Sequence, residues 1–150
     1  MNQFSKTSAE RLATADPYLI EVFNAAIAIC PVDFGIAQGA RTIDEQREYF
    51  NDKKSKINPD AYEIDELPKK AKHIVTDDYP LAGAVDIYAY IPGTGASWDK
   101  SHLCLIAGVV LAIDKQKENR LRWGGNWDGD GEIISDQTFQ DLPHFELRAR

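Results

Sequence analysis

Cysteine is scarce in this sequence, which has only two among its 150 residues, Cys30 and Cys104. Each stands among aliphatic residues and the two lie far apart along the chain, so the pattern disfavours a zinc site built from cysteines. A disulfide between them is left open. The pattern is more typical of two buried thiols in a reducing compartment.

Net positive charge and long apolar runs are also lacking. With 17 basic and 24 acidic residues, the formal net charge is −7 and the signs are mixed along the chain, so we expect no nucleic-acid partner. No apolar run approaches the roughly 20 residues of a membrane-spanning helix. The first twelve residues carry charges where a secretory signal has its apolar core, so we expect no signal peptide and no membrane insertion.

The sequence does have enough hydrophobic residues, 43% of the total, to form one domain with a hydrophobic core. Periodicity, caps and breakers predict four helices: Ser8–Leu12, Pro17–Ile29, Thr42–Asn51 with a capping box, and a core helix capped by Ser97 that ends near Asn119. The other predicted segments are strands at Phe34–Gly39, Ala84–Ile91 and the C-terminus, a long functional loop over Asp52–Pro80, and a glycine-rich aromatic turn over Arg122–Trp127. We expect a single α+β domain in which helices cover one side of a small, mostly antiparallel sheet.

Two parts of the chain carry residues suited to metal-dependent hydrolysis. Near the C-terminus, His144 follows Asp141 by three residues. Upstream, His73 supplies a second imidazole, and Asp86 supplies a carboxylate within an apolar run where an unpaired charge is costly. Two histidines and one aspartate leave the fourth tetrahedral position of zinc open for water, as in catalytic sites. A neighbouring carboxylate can then take a proton from that water.

Several short motifs follow one another in a specific order: Gln38–Thr42 with Glu45–Gln46, His73, Gly83–Asp86, Trp123–Gly125 and Asp141–Glu146. Together they resemble the signatures of the zinc D,D/L,D-peptidases related to the vancomycin-resistance carboxypeptidases. The resemblance is closest to phage endolysins that act as L-alanyl-D-glutamate peptidases, and it runs from about Ser8 to Leu147. It implies the fold of that peptidase family, with zinc in a cleft formed by strand ends and the long middle loop.

The resemblance also implies roles for individual residues. It assigns zinc to His73, Asp86 and His144, makes Asp141 the catalytic base, and makes Arg41 an oxyanion or substrate-carboxylate contact. This chain departs from the family pattern in two ways: Ala71 replaces a serine, and His73 precedes Asp86 by thirteen positions, so residues between Val75 and Leu81 have to loop out. Asp77 or Asp78 is therefore an alternative first ligand.

A second metal hypothesis concerns calcium. The segment that begins at Asn126 matches the first eight positions of an EF-hand loop, with oxygen ligands expected from Asn126, Asp128, Asp130 and Glu132, and with Ile133 at position 8. Gln137 stands at position 12, where a bidentate glutamate belongs, and Asp136 comes one residue early. Calcium binding and an acidic turn without an ion both stay open.

The expected function, by resemblance, is hydrolysis of bacterial peptidoglycan at the L-Ala-D-Glu bond of the stem peptide, for host lysis by a phage. We expect a monomeric catalytic domain over residues 1–150, with no separate wall-binding domain, held in the host cytoplasm until lysis and then acting at the periplasm and wall. Two alternatives stay open: a D-alanyl-D-alanine carboxypeptidase, and a non-catalytic wall- or calcium-binding module with the same fold.

Overall fold

The computed structural model describes residues 1–132 and 137–150. Its elements, in chain order, are α1 Lys6–Leu12, α2 Pro17–Ile29, β1 Asp33–Gln38, α3 Ile43–Asn51, a 3-10 turn Pro59–Ala61, α4 Leu67–Lys70, β2 Ala84–Ile91, β3 Gly95–Ser97, α5 Lys100–Gln116, β4 Leu121–Gly124 and β5 Asp141–Leu147. This arrangement confirms the predicted α+β class.

The sheet is antiparallel at every strand pair of the described residues. Its order is β1-β2-β5-β4, and β3 pairs with the far end of β2. In this register Asp86 of β2 lies directly opposite His144 of β5 on one side and Gln38 of β1 on the other. Because paired residues point to the same face, three polar side chains from three strands are gathered at one place.

The other face of the sheet carries the core. Alternate residues of β2 and β5 are buried there against α2 and α5, and they include Val85, Ile87, Phe145 and Leu147. Phe23 of α2 packs edge-on against Phe145, with ring centroids 5.3 Å apart. Helices thus cover one side of the sheet as predicted, and the polar side is left for a site.

Several predicted boundaries are confirmed and others are wrong. The capping box of α3 is present, with Glu45 N donating to Thr42 Oγ1. Ser97 does not cap the core helix: it ends β3, and Asp99 is the cap, accepting from Ser101 N at 2.9 Å. Asp suits this position as well as Ser does, and Ser97 is already extended in β3.

The predicted turn over Arg122–Trp127 is wrong in its first half, since β4 runs through Gly124 and pairs with β5. The long middle loop holds two short helical pieces, Pro59–Ala61 and Leu67–Lys70.

Two further findings concern the cysteines and the helices. Both cysteines carry free thiols. Among the described residues, no helix is long and apolar enough to cross a bilayer.

Candidate metal centre and catalytic groups

Three predicted ligands meet on the polar face of the sheet. His144 Nδ1 lies 3.0 Å from Asp86 Oδ1, and His73 Nε2 lies 3.2 Å from both of those atoms. Within the described ranges, these three residues form the one group of His, Cys, Asp and Glu side chains able to share an ion. Asp77 and Asp78 are exposed and stand outside the group, so the alternative first ligand has no support from the geometry.

The size of this triangle fits a small divalent ion. A tetrahedral zinc with ligand bonds of about 2.0–2.2 Å separates its ligand atoms by roughly 3.4 Å, close to the separations seen here. The side chains of both histidines are nearly inaccessible, whereas that of Asp86 is 25% exposed. The donor set is therefore closed on the protein side and open toward solvent beside the carboxylate.

Each histidine ring is held in the orientation that points one nitrogen into the cluster. His73 Nδ1 donates to the carbonyl of Gly39 at 2.7 Å, which leaves Nε2 as the ligand atom. His144 Nε2 donates to Glu146 Oε2 at 2.9 Å, which leaves Nδ1 as the ligand atom. A second hydrogen bond that fixes the ring and raises its basicity is a common companion of metal-binding histidines.

The loop residue His73 reaches the sheet through backbone pairing with the segment that follows β1. Arg41 N donates to His73 O at 2.8 Å, and Val75 N donates to Arg41 O at 3.0 Å. The chain then makes an excursion and returns where Gly83 N donates to Lys72 O at 2.7 Å. The extra residues before Asp86 are thus looped out as predicted, and the candidate ligand His73 lies before this excursion.

Glu146 supports the cluster from behind. Its side chain is buried and, besides His144, it binds Arg122 and lies 3.7 Å from Lys72 Nζ. Burial alone would raise the pKa of Glu146, but its bonds to His144 and Arg122 lower that pKa to about 2. The carboxylate is therefore charged at any working pH. Glu146 and His144 are two residues apart in one strand, so their side chains share a face.

The charges within the cluster are strongly coupled. Burial opposes ionisation of Asp86, but the two histidines outweigh it and hold the pKa of Asp86 below its ordinary value. Burial likewise opposes a charged His144, yet Asp86 and Glu146 raise its pKa to about 9. A protonated His144 thus balances the carboxylates when no cation is bound, and a metal ion would have to displace that proton.

Asp141 begins β5 beside the cluster, where its charge interacts with those of His144, Asp86, His73 and Arg41. Burial raises the pKa of Asp141 above its ordinary value, which moves this carboxylate toward the range useful for proton transfer. Gly124 makes this position possible, because a Cβ on Gly124 would collide with the backbone of Asp141. The close approach of Asp141 therefore explains the first glycine of the Trp-Gly-Gly motif.

Arg41 is held by neutral hydrogen-bond acceptors, and the carboxylates that act on its charge make no hydrogen bond to it among the described residues. Its two terminal nitrogens donate to the side-chain carbonyls of Gln46, at 2.7 Å, and Gln38, and its guanidinium lies over the ring of Tyr49. Its Nε is buried and has no hydrogen-bond partner among the described residues. Burial lowers the pKa of Arg41, although the charge of Asp86 opposes this shift. A preorganised cation whose hydrogen-bond partners are neutral suits recognition of an anion.

Trp127, the last residue of the predicted aromatic turn, also lies at the site. Its ring lies 5.7 Å from that of His144, stacks on Phe139 at 6.0 Å and is covered by the Arg122 guanidinium at 5.2 Å. The indole thus forms an apolar wall beside the cluster. Nothing in the periodicity of this segment signals the contact.

The candidate calcium loop follows β4, and its described acidic residues are not members of the His-Asp-His group. Asn126 Oδ1 is buried and lacks a hydrogen-bond partner in the described part of the chain, while Asp128 and Asp130 accept from backbone amides of their own loop. Gln137, at position 12, binds Trp127 N and Gly124 O and so closes the base of the loop. Ile133 and Asp136 lie outside the described residues.

An antiparallel sheet that presents two histidines and an aspartate beside a half-buried carboxylate has the arrangement of a metal-dependent hydrolase. Comparison with known proteins narrows this class. The family model described as phage L-alanyl-D-glutamate peptidase matches residues 1–148. The chain belongs to that family and is a peptidase, which confirms the resemblance seen in the sequence motifs.

Two individual similarities agree with this membership. The chain is 30% identical over 148 residues to the L-alanyl-D-glutamate peptidase of Escherichia phage T5, with 97% of each protein covered. It shares its fold with the crystal structure of the Serratia marcescens L-Ala D-Glu endopeptidase ChiX at a TM-score of 0.69 and 24% identity. That match covers 97% of this chain and 90% of the other.

Proposed function

We propose that this protein is a zinc-dependent peptidoglycan hydrolase that cuts the L-Ala-D-Glu bond of the stem peptide during host lysis by a phage. The observation that carries the proposal is the triangle of ligand atoms from His73, Asp86 and His144, within a chain of the phage L-alanyl-D-glutamate peptidase family. The name of the T5 relative supports the choice of bond.

Zinc bound to these ligands would supply a Lewis acid and water acidified to a pKa of about 7. The remaining chemistry belongs to the side chains. Asp141 accepts the proton of the attacking water, helped by the burial that raises its pKa, and passes that proton to the amine of the departing D-Glu. Trp127 shields one side of this proton transfer from bulk solvent.

Arg41 is the proposed electrostatic partner of the substrate. Its fixed guanidinium can stabilise the oxyanion that develops on the L-Ala carbonyl, an effect worth about 3 kcal/mol for a single donor in comparable sites. The same group can instead hold a carboxylate of the stem peptide. Both roles use the charge of Arg41, whose hydrogen-bond partners Gln38 and Gln46 are neutral.

We further propose that the protein acts as a monomer, is held in the host cytoplasm until lysis and then works at the cell wall. Peptidoglycan as the substrate fits the family of the chain. In this proposal the whole chain is one catalytic domain.

The proposal is tested by metal analysis of the purified protein together with mass spectrometry of the products released from Gram-negative sacculi. We expect one zinc per chain and new peptide termini at L-Ala and D-Glu. Asp141→Ala should abolish hydrolysis and keep the zinc. Release of single D-Ala residues would instead identify a D-alanyl-D-alanine carboxypeptidase, and a wild-type chain with neither zinc nor lytic activity would identify a non-catalytic module.

Calcium binding by Asn126, Asp128, Asp130 and Glu132 stays a prediction. The buried, unpartnered Oδ1 of Asn126 favours it, and the engagement of Gln137 with backbone groups weighs against a twelfth ligand. A rise in melting temperature with calcium that EGTA reverses would support a site here. Equal stability and activity in both conditions would identify an acidic turn without an ion.

A further inference from the structure

Aromatic side chains continue the site along β2. Because side chains alternate along a strand, Asp86, Tyr88 and Tyr90 share the polar face at intervals of about 6.6 Å. The ring of Trp98, which follows β3, lies 6.0 Å from that of Tyr88. Tyr90 is 46% exposed and Trp98 is 58% exposed. We name Tyr88, Tyr90 and Trp98 the aromatic shelf.

The shelf is not part of the hydrophobic core, yet its inner ring is firmly placed. Tyr88 pairs with Gly35 of β1, where a Cβ would collide with the tyrosine ring and with Ser8 Oγ. The missing side chain at Gly35 therefore lets the phenol lie across β1. Trp98 contacts this fixed ring and leaves most of its own surface in solvent, which is typical of a binding surface.

We propose that the aromatic shelf binds the muramic-acid sugar that carries the stem peptide, an inference that rests on the proposed function. In peptidoglycan the L-Ala nitrogen is acylated by the lactyl group of that sugar. One alanine residue and one lactyl group together span two backbone-length units, about 7 Å. This matches the step from Asp86, at the metal cluster, to Tyr88, where the shelf begins.

Charge decides which end of the substrate lies on the shelf. Tyr90 has Asp33 as its direct partner in β1. Gln38, the partner of Asp86, ends β1, and the chain continues from it to Arg41 in the direction away from Tyr90. The D-Glu side of the scissile bond carries carboxylates, which favour the side of Arg41. The sugar is uncharged, and its apolar C–H face and hydroxyl groups suit aromatic rings with an acid nearby.

Two matched substrates test the inference: N-acetylmuramyl-L-Ala-D-Glu and N-acetyl-L-Ala-D-Glu, which differ only in the acyl group on alanine. We expect kcat/KM of the wild type to be about tenfold higher for the muramyl substrate, as one aromatic contact can provide. Trp98→Ala should remove this preference and leave kcat/KM for the acetyl substrate within about twofold, while Trp98→Phe should keep most of the preference. Leu105→Ala, at an exposed apolar position on α5 in the opposite layer, is the matched control.

Calorimetry with the cleavage product N-acetylmuramyl-L-Ala and the protein as purified gives a second readout, in which Trp98→Ala should weaken binding about tenfold. Hydrolysis without a muramyl preference, or a preference that Trp98→Ala leaves intact, would overturn the assignment of the shelf alone. Failure of the wild type to cut either substrate would overturn the proposed function together with this inference. A wild-type dimer that Trp98→Ala dissociates would assign the shelf to a second copy of the chain and overturn the inference.

Discussion

Replacing Glu146 by glutamine is predicted to weaken zinc binding about tenfold, and Glu146→Ala about a hundredfold. The carboxylate accepts from His144 Nε2 at 2.9 Å inside the protein, and loss of such a partner costs a metal site roughly 10-fold to 100-fold in affinity. Glutamine keeps an acceptor oxygen that can still orient the ring. It removes the charge that makes the imidazole more basic, so its effect falls at the lower end of that range.

The accompanying loss of stability is predicted to be modest. Breaking a buried ion pair costs about 3–5 kcal/mol when the remaining charge has no partner. Here Lys72 Nζ still donates to the carbonyl of Leu147, and the side chain of Arg122 is 42% exposed, so water screens its charge. A loss of about 1–3 kcal/mol in the unfolding free energy of the metal-free Glu146→Gln protein follows.

Competition titration of zinc against a chelator, with urea unfolding of the metal-free proteins, measures both effects. Glu118→Gln is the matched control, because Glu118 is a surface glutamate whose pair with Arg120 is largely exposed and should change neither quantity. Wild-type zinc affinity in a destabilised Glu146→Gln protein would refute the reasoning, since Glu146 would then support the fold and not the ligand.

Three further predictions concern pH, substrate charge and the core. The raised pKa of His144 stabilises the metal-free protein fully below about pH 6.5, and this contribution is lost as the pH rises toward about 9. The melting temperature of the metal-free protein should therefore fall between these pH values, and its affinity for zinc should increase. Constant zinc affinity across this pH range would contradict the displacement of a proton. Arg41→Lys keeps the positive charge and loses the two-pronged guanidinium, so kcat/KM should fall about a hundredfold with the zinc content unchanged. The loss of turbidity of a suspension of sacculi measures this activity, and full activity of the variant would exclude the proposed role. Asp114→Asn should cost about 2 kcal/mol in urea unfolding, because the buried Asp114 carboxylate accepts from Tyr18 Oη at 2.6 Å and from Leu121 N; an unchanged midpoint would contradict it.

Local signals in the sequence were sufficient for the elements whose ends are marked by short-range chemistry. The capping box that begins α3 involves only neighbouring residues, and it is present as predicted. The strand β3 was missed because three residues next to a glycine turn carry too little pattern. The strand β4 was not predicted because its glycine and tryptophan residues are also typical of turns, and only the pairing with β5 distinguishes the two.

The residues of the site also fall into those that the sequence predicts and those that it does not. The histidines and acids stand out by residue type and order, and the structure gathers His73, Asp86 and His144 as expected. The supporting groups are ordinary residues whose role depends on distant contacts, as in the two glutamines Gln38 and Gln46 that hold Arg41. Periodicity in one strand cannot reveal such contacts, because they join β1, α3 and the middle loop only after folding.

The backbone contacts that position the candidate metal ligands also involve the residue proposed to contact the substrate. Asp86 and His144 are fixed by the register between β2 and β5, and a slip of one residue would send either side chain to the opposite face. His73 is fixed instead by Arg41, whose backbone donates to His73 O and accepts from Val75 N. The residue proposed to meet the substrate anion thus also positions the third candidate ligand, through its main chain. Substitution of the Arg41 side chain leaves those backbone bonds in place, which is why loss of activity and loss of metal should separate at this position.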